Sequence, residues 1–129
     1  ILFIELVRIK QKYETETDKT VEKNQDRLED FMELLDEHIS KIKQPAEYAN
    51  MLNLTPYQLN TITKTAVGKT SSELITEQII LESKRYLLST SNQVKEIAYH
   101  LGYEDTSYFI RFFKKCTGLS PEAFRSSFS

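Results

Sequence analysis

The chain has 129 residues, 40% apolar and 28% charged, which fits one domain of ordinary size or a small domain with an extra helix and excludes a disordered chain. Net charge is −2, split as −3 over residues 1 to 43 and +1 over residues 44 to 129, so a non-specific polyanion binder is excluded and any nucleic-acid reading rests on where the charges sit. With one Cys and two scattered His there is no internal disulfide and no metal cluster to expect, and only three Gly and three Pro interrupt Leu, Ile, Glu and Lys recurring at three- and four-residue spacings. The expected fold class is all-α.

Residues 1 to 13, beginning "ILFIELV", read as the end of a helix; the stretch carries Glu5, Arg8 and Lys10 and is far shorter than the roughly 20 residues of a membrane span. The chain opens on Ile1, with no secretory signal, and reads as a fragment of a longer protein. A polar run, "ETETDKTVEKNQD", follows and reads as a linker or solvated helix start, placing a domain boundary near residues 14 to 20. The expected division is 1–20 and 21–129. From Arg27 to Lys43 the apolar residues Leu28, Phe31, Leu35, Ile39 and Ile42 form one buried stripe on an acidic helix.

Helix starts are then legible from side chains that satisfy the free N–H groups of a first turn. Thr55-Pro56-Tyr57-Gln58 combines an N-cap hydroxyl, Pro at the first helical position and Gln three residues on, which is a capping box. Thr70-Ser71-Ser72-Glu73 has the same box without Pro; Asp105 and Ser120-Pro121 supply two more caps, and Gly68 and Gly118 stand where helices should stop. Helices are expected near residues 45 to 52, 56 to 66, 72 to 89, 93 to 100, 106 to 116 and 121 to 128.

A weak internal repeat runs through these elements. Ala49, Leu52 and Leu54 match Ala98, Leu101 and Tyr103 at an offset of 49, and Leu59, Lys64, Gly68 and Thr70 match Phe109, Lys114, Gly118 and Ser120 at an offset of 50. The extra residue falls in the turns. Each copy is helix, short turn, helix, Gly stop: a helix-turn-helix present twice, about 45–66 and about 93–116, joined by a long central helix about 72–89. Glu73 to Leu88 spans about 24 Å of helix, a spacer that could hold two reading helices roughly one DNA turn apart.

The stretch "TSYFIRFFKK" puts Phe109, Phe112, Phe113 and Cys116 on one helical face, read as core. Thr106, Ser107, Ile110, Arg111, Lys114 and Lys115 lie away from it. In a helix-turn-helix the N-terminal residues of the second helix approach base edges; short hydroxyls and Arg111 there can read bases, and the lysines suit phosphates. Tyr108 sits at the border, unassigned by spacing.

The run "EIAYHLGYEDTSYFIRFFKKCTGLSPEAFR", residues 96 to 125, resembles the signature of the AraC/XylS family of bacterial transcription regulators, and "AEYANMLNLTPYQLNTITKTAVGKT" resembles its first helix-turn-helix. The similarity covers about residues 26 to 126 and carries Ile97-Ala98, Leu101-Gly102-Tyr103, Ser107-Tyr108-Phe109, Arg111, Phe113-Lys114-Lys115, Gly118, Pro121 and Phe124-Arg125 in order. The resemblance implies a seven-helix, two-unit domain that binds double-stranded DNA at promoters or operators, contacts RNA polymerase, activates transcription in the bacterial cytoplasm, and uses no cofactor. Carried over position by position, it implies DNA contacts from Pro56, Tyr57, Asn60, Thr61 and Lys64 on the first reading helix and from Thr106, Ser107, Tyr108, Arg111 and Lys115 on the second. Two departures stand out: Thr63 replaces the large apolar residue frequent in the family before Lys64, and the first reading helix lacks an Arg. Residues 1 to 13 resemble the closing helix of the family's upstream sensor and dimerisation region, which implies a homodimer through that helix.

Other patterns are read as structural. Ser40-Lys41-Ile42-Lys43 matches a Ser-x-x-Lys pattern without its partner motifs, Asn53-Leu54-Thr55 is a sequon better explained by the Thr55 cap, and His38 and His100 are surface or boundary residues. Arg125 and Glu96 are open between a structural pair and a DNA-backbone contact. No paired carboxylates, triad or metal cluster assembles, so an enzyme is not expected. The rival reading is a helical protein-interaction module acting on a regulatory partner, with the nearly neutral charge in its favour.

Overall fold

The computed structural model describes residue 19 and residues 22–128, all helices and turns with no strand among them. The expectations on residues 1 to 13 lie outside the described residues. Seven helices follow in order among the described residues: α1 over residues 22–38, then α2 Pro45–Met51, α3 Pro56–Val67, α4 Ser71–Ser89, α5 Val94–His100, α6 Thr106–Thr117 and α7 Pro121–Ser126. The first helix stops four residues before the end of its apolar stripe: Leu28, Phe31, Leu35 and Ile39 are buried, and Ile42 lies past the helix and half-buried.

The caps read from the sequence set these bounds. Thr55 Oγ1 accepts from Gln58 N at 3.1 Å and Gln58 Oε1 accepts from Thr55 N at 2.9 Å, the full reciprocal box. At α4 only half of the expected box forms, Thr70 Oγ1 accepting from Glu73 N at 3.1 Å. Asp105 accepts from Ser107 N and Tyr108 N, and Ser120 Oγ from Ala123 N. Gly68 and Gly118 close α3 and α6 with φ of 72° and 85°, a left-handed backbone that Gly adopts without a Cβ penalty.

The internal repeat is a repeat of backbone geometry. Leu54 N donates to Ala49 O at 2.8 Å, and Tyr103 N donates to Ala98 O at 2.9 Å, the same closing bond in both turns. Asn53 (φ 57°) in the first turn corresponds to Gly102 (φ 88°) in the second. Four residues separate α2 from α3 and five separate α5 from α6, which is where the offset grows by one.

Two cores result. The first gathers α1 (Phe31, Leu35), α2 (Tyr48, Ala49), α3 (Leu59, Ile62) and the first half of α4 (Leu74, Ile75, Ile79). The second gathers Leu87 at the end of α4 with Val94, Ile97 and Ala98 of α5, Phe109 and Phe113 of α6, and Phe124 of α7. Burying each large side chain contributes about 1.5–3 kcal/mol, so ten or so per core can hold each unit closed. The central helix serves both because its apolar stripe is long enough to turn from one core to the other. Tyr48 is fully buried, and its hydroxyl donates to Ile42 O at 2.6 Å, which holds the chain leaving α1 against α2.

Arg125, left open by the sequence, makes structural bonds, though not with Glu96. Its guanidinium donates to Leu87 O at 2.9 Å and Thr90 O at 3.3 Å, capping the end of α4, and no ion pair with Glu96 forms among the described residues.

Candidate nucleic-acid interface

On α3, Leu59, Ile62 and Thr63 are buried, which turns Pro56, Tyr57, Thr61, Lys64 and Thr65 to solvent. Tyr57 is 81% exposed, an aromatic ring with no core to pack into. Tyr57, Asn60, Thr61, Lys64 and Thr65 line a shallow depression along this face. Thr65 is absent from the sequence-based set, although its spacing from Thr61 and Tyr57 puts it on the same face.

Asn60 behaves differently from its neighbours. Its Oδ1 accepts from Ser71 N at 2.9 Å and from Ser71 Oγ at 2.6 Å, and Ser71 is 1% exposed. The side chain expected to read a base spends its acceptor on the first residue of α4. Thr63 is also explained: it is fully buried, and its hydroxyl donates to Asn60 O at 3.2 Å, so the hydroxyl that departs from the family's apolar preference has a partner inside the helix. Thr61 is exposed, and its Oγ1 donates to Tyr57 O at 3.0 Å.

On α6, Phe109 and Phe113 are fully buried and anchor the helix. Ser107, Arg111, Lys114 and Lys115 are exposed, and Thr106 at the first position is half-buried. Tyr108 is 52% exposed with its ring 5.9 Å from that of Tyr103, half packed and half presented. Phe112 is only partly buried, because it points past the second core toward the first. Cys116, expected in the core, is exposed. It lines a groove with Leu81, Lys84, Leu119, Phe124 and Phe128 that shares no residue with the outward face of α3.

The electrostatics explain how a chain of net charge −2 can present a cationic face. Helices α3 and α6 together carry Lys64, Arg111, Lys114 and Lys115 and no Asp or Glu. The acidic excess sits largely on α1, where Glu29, Asp30, Glu33, Asp36 and Glu37 are exposed. Among the described residues carboxylates lie within salt-bridge distance of His38 (Glu37), Lys69 (Glu77) and Arg85 (Glu82), so none of the four cations on α3 and α6 is paired with a carboxylate. Cations held on two helices without internal partners are suited to phosphate oxygens, and a cluster of short hydroxyls beside one Arg is suited to base edges. No cluster of three or more metal-ligating side chains occurs among the described residues, and no helix among them is long and apolar enough to cross a membrane.

A family model described as a helix-turn-helix domain matches residues 48–127. Among curated relatives, the "Bifunctional transcriptional activator/DNA repair enzyme AdaA" of Bacillus subtilis (strain 168) is 33% identical over 93 residues, covering 72% of this chain and 44% of that protein. The arabinose operon regulatory protein of Escherichia coli (strain K12) is 32% identical over 81 residues, covering 63% of this chain and 28% of that protein. The chain thus spans less than half the length of either relative. Among solved structures, the C-terminal domain of AraT, a response regulator from Geobacillus stearothermophilus, superposes with a TM-score of 0.71 at 28% identity, covering 78% of this chain and 84% of that one.

Proposed function

The chain belongs to the AraC/XylS family of helix-turn-helix transcription regulators, and from that premise we propose that residues 21–129 bind double-stranded DNA sequence-specifically, with α3 and α6 in successive major grooves on one face. The observation that carries the reading is the doubled unit itself: two N-capped helices, each with a buried stripe and an outward face of hydroxyls and unpaired cations. The central helix, 19 residues or about 28 Å long, gives the two units a separation compatible with about one DNA turn.

The roles divide by chemistry. Arg111, with Thr106, Ser107 and Tyr108 in the first turn of α6, reads base edges; Lys115, with Lys114, holds phosphates. On α3, Pro56, Tyr57, Thr61 and Lys64 face the duplex, and Asn60 lies against it while its acceptor is spent on Ser71. With a single cation on its face, α3 contributes less electrostatic grip than α6. The regulator acts as an activator in the bacterial cytoplasm, in contact with RNA polymerase, and residues 1–20 belong to an upstream dimerising region; the activator role is supported by the wording of the AdaA relative's name. The rival reading, a module for a protein partner, drew on the near-neutral charge, and the absence of any carboxylate from α3 and α6 removes that support.

Selection of bound sequences from a random DNA pool tests the reading, repeated with Arg111→Ala. Two enriched blocks about ten base pairs apart, one degraded by the substitution, are expected. Binding that is undetectable at low salt, or that does not weaken as salt rises, would sink the proposal.

A further inference from the structure

Two units that read one duplex must be held at a fixed angle, and the central helix alone fixes their distance better than their rotation. A second joint, apart from the central helix, crosses between the units. Tyr103, in the turn of the second unit, packs against both hydrophobic clusters, and Phe112 of α6 leaves its own core to pack against the first. The Tyr103 ring lies 5.4 Å from Phe109 and 6.2 Å from Phe112, centroid to centroid. On its other side Lys43, in the segment after α1, places its ammonium 5.0 Å from the Tyr103 ring centre and donates to Ser40 O at 3.1 Å. Gly102, next to Tyr103, sits so close that a Cβ there would lie 2.0 Å from Ser40 O and 2.8 Å from Lys43 Nζ. The turn that follows α1 and the turn of the second unit are therefore in close contact at Ser40 and Gly102.

We infer that this seam of Ser40, Lys43, Gly102, Tyr103 and Phe112 sets the rotation of α6 relative to α3, and so determines which spacing between the two half-sites of an operator the protein accepts. Lys43 is a positioning residue here: it acts by locking Tyr103 and the Ser40 carbonyl together. The cation–π contact and the hydrogen bond are made by the same ammonium, so one substitution releases both. Partial burial of Lys43 lowers its pKa, which agrees with an ammonium held against the Tyr103 ring. The inference rests on the DNA-binding reading for its consequence, while the seam's mechanical role stands apart from DNA and is read separately.

Lys43→Met is the principal test, because it keeps the aliphatic stem and removes the charge. Gly102→Ala is the second, forcing the turn away from Ser40; a thermal melt establishes that each variant is folded before use. With spin labels on Cys116 and on an Ala66→Cys substitution, one on each reading helix and both exposed, pulsed electron resonance should give one narrow distance distribution for the parent and a broader or displaced one for Lys43→Met. In titrations of operators whose spacer is lengthened or shortened by one base pair, discrimination against the wrong spacing should fall by about twofold or more, the lower end of the coupling between contacting groups. An unchanged distance distribution and an unchanged spacing profile in the folded Lys43→Met protein overturn the inference. A broadened distribution with no DNA binding by the parent would instead overturn the DNA reading and leave the seam standing.

Discussion

Replacing Asn60 by Ala separates a base-reading side chain from a structural one. In the structure its Oδ1 receives both the backbone N–H and the hydroxyl of Ser71, and Ser71 is 1% exposed, so neither donor reaches water without opening the joint between α3 and α4. A buried donor left without a partner costs about 1–3 kcal/mol; with two donors affected and Asn60 itself half-exposed, a loss near 2 kcal/mol is expected. Urea unfolding followed by circular dichroism at 222 nm would measure it. Asn60→Asp preserves the acceptor and adds a negative charge at the start of α4, where the helix dipole favours it by about 0.3–1 kcal/mol, so its stability should match or exceed that of the parent. The same charge faces the proposed duplex, so its DNA affinity should fall. Ser71→Ala should cost about 1 kcal/mol, and the double variant should be less destabilised than the sum of the two singles, because they remove the same bond. If Asn60→Ala unfolds within about 0.5 kcal/mol of the parent, the range of an ordinary surface change, the structural role of the Asn60–Ser71 bonds is refuted and Asn60 returns to the proposed base-reading set.

Three more expectations follow from the geometry. Arg111→Ala should relax preference at one base pair at a cost of about 1–3 kcal/mol, whereas Lys115→Ala should weaken all sequences alike and reduce the salt slope by about 1, both measured by titration against salt. Gly118→Ala and Gly102→Ala both place a Cβ on left-handed backbone, but the former meets open space and should cost about 1–2 kcal/mol, whereas the latter meets the Ser40 carbonyl and should cost clearly more; matched urea curves decide. Tyr48 and Tyr103 are both pushed up to about 12, foremost by burial, with Glu47 adding to the first and Tyr108 and Cys116 to the second. Because the unfolded chain releases these protons near pH 10 and the folded one holds them, their contribution to stability is complete below about pH 10 and is lost as pH rises toward about 12. Tyrosinate absorbance at 295 nm should show two phenols titrating last, and Tyr48→Phe should soften the alkaline fall in stability.

The fold was legible wherever a local rule governs one turn of chain. Thr55, Asp105, Ser120, Gly68 and Gly118 each act within four residues of themselves, and each marks the helix end expected of it. The outward faces of α3 and α6 were legible for the same reason, since the spacing of Leu59 and Ile62, or of Phe109 and Phe113, fixes what points away. Periodicity failed at the ends and at the joints. Cys116 shares a face with Phe109 and Phe113, but spacing carries no information about where the core stops beneath a helix. The bond from Asn60 to Ser71 spans 11 residues, and Arg125 reaches back 38 and 35 to its two carbonyls. Such partners are chosen by the packing of whole helices, which no window of a dozen residues contains.

The reach of Arg125 also orders events during synthesis. Every buried member of the first core lies between Leu28 and Ile79, so that unit can begin to close while the rest of the chain is still being made. The second core extends from Leu87 to Phe124, and the end of the central helix keeps two open carbonyls until Arg125 arrives. A chain interrupted before that residue would present a formed first unit beside an unfinished second one. Quality control that recognises exposed Phe and Leu therefore has the second unit to watch until Phe124 and Arg125 are in place.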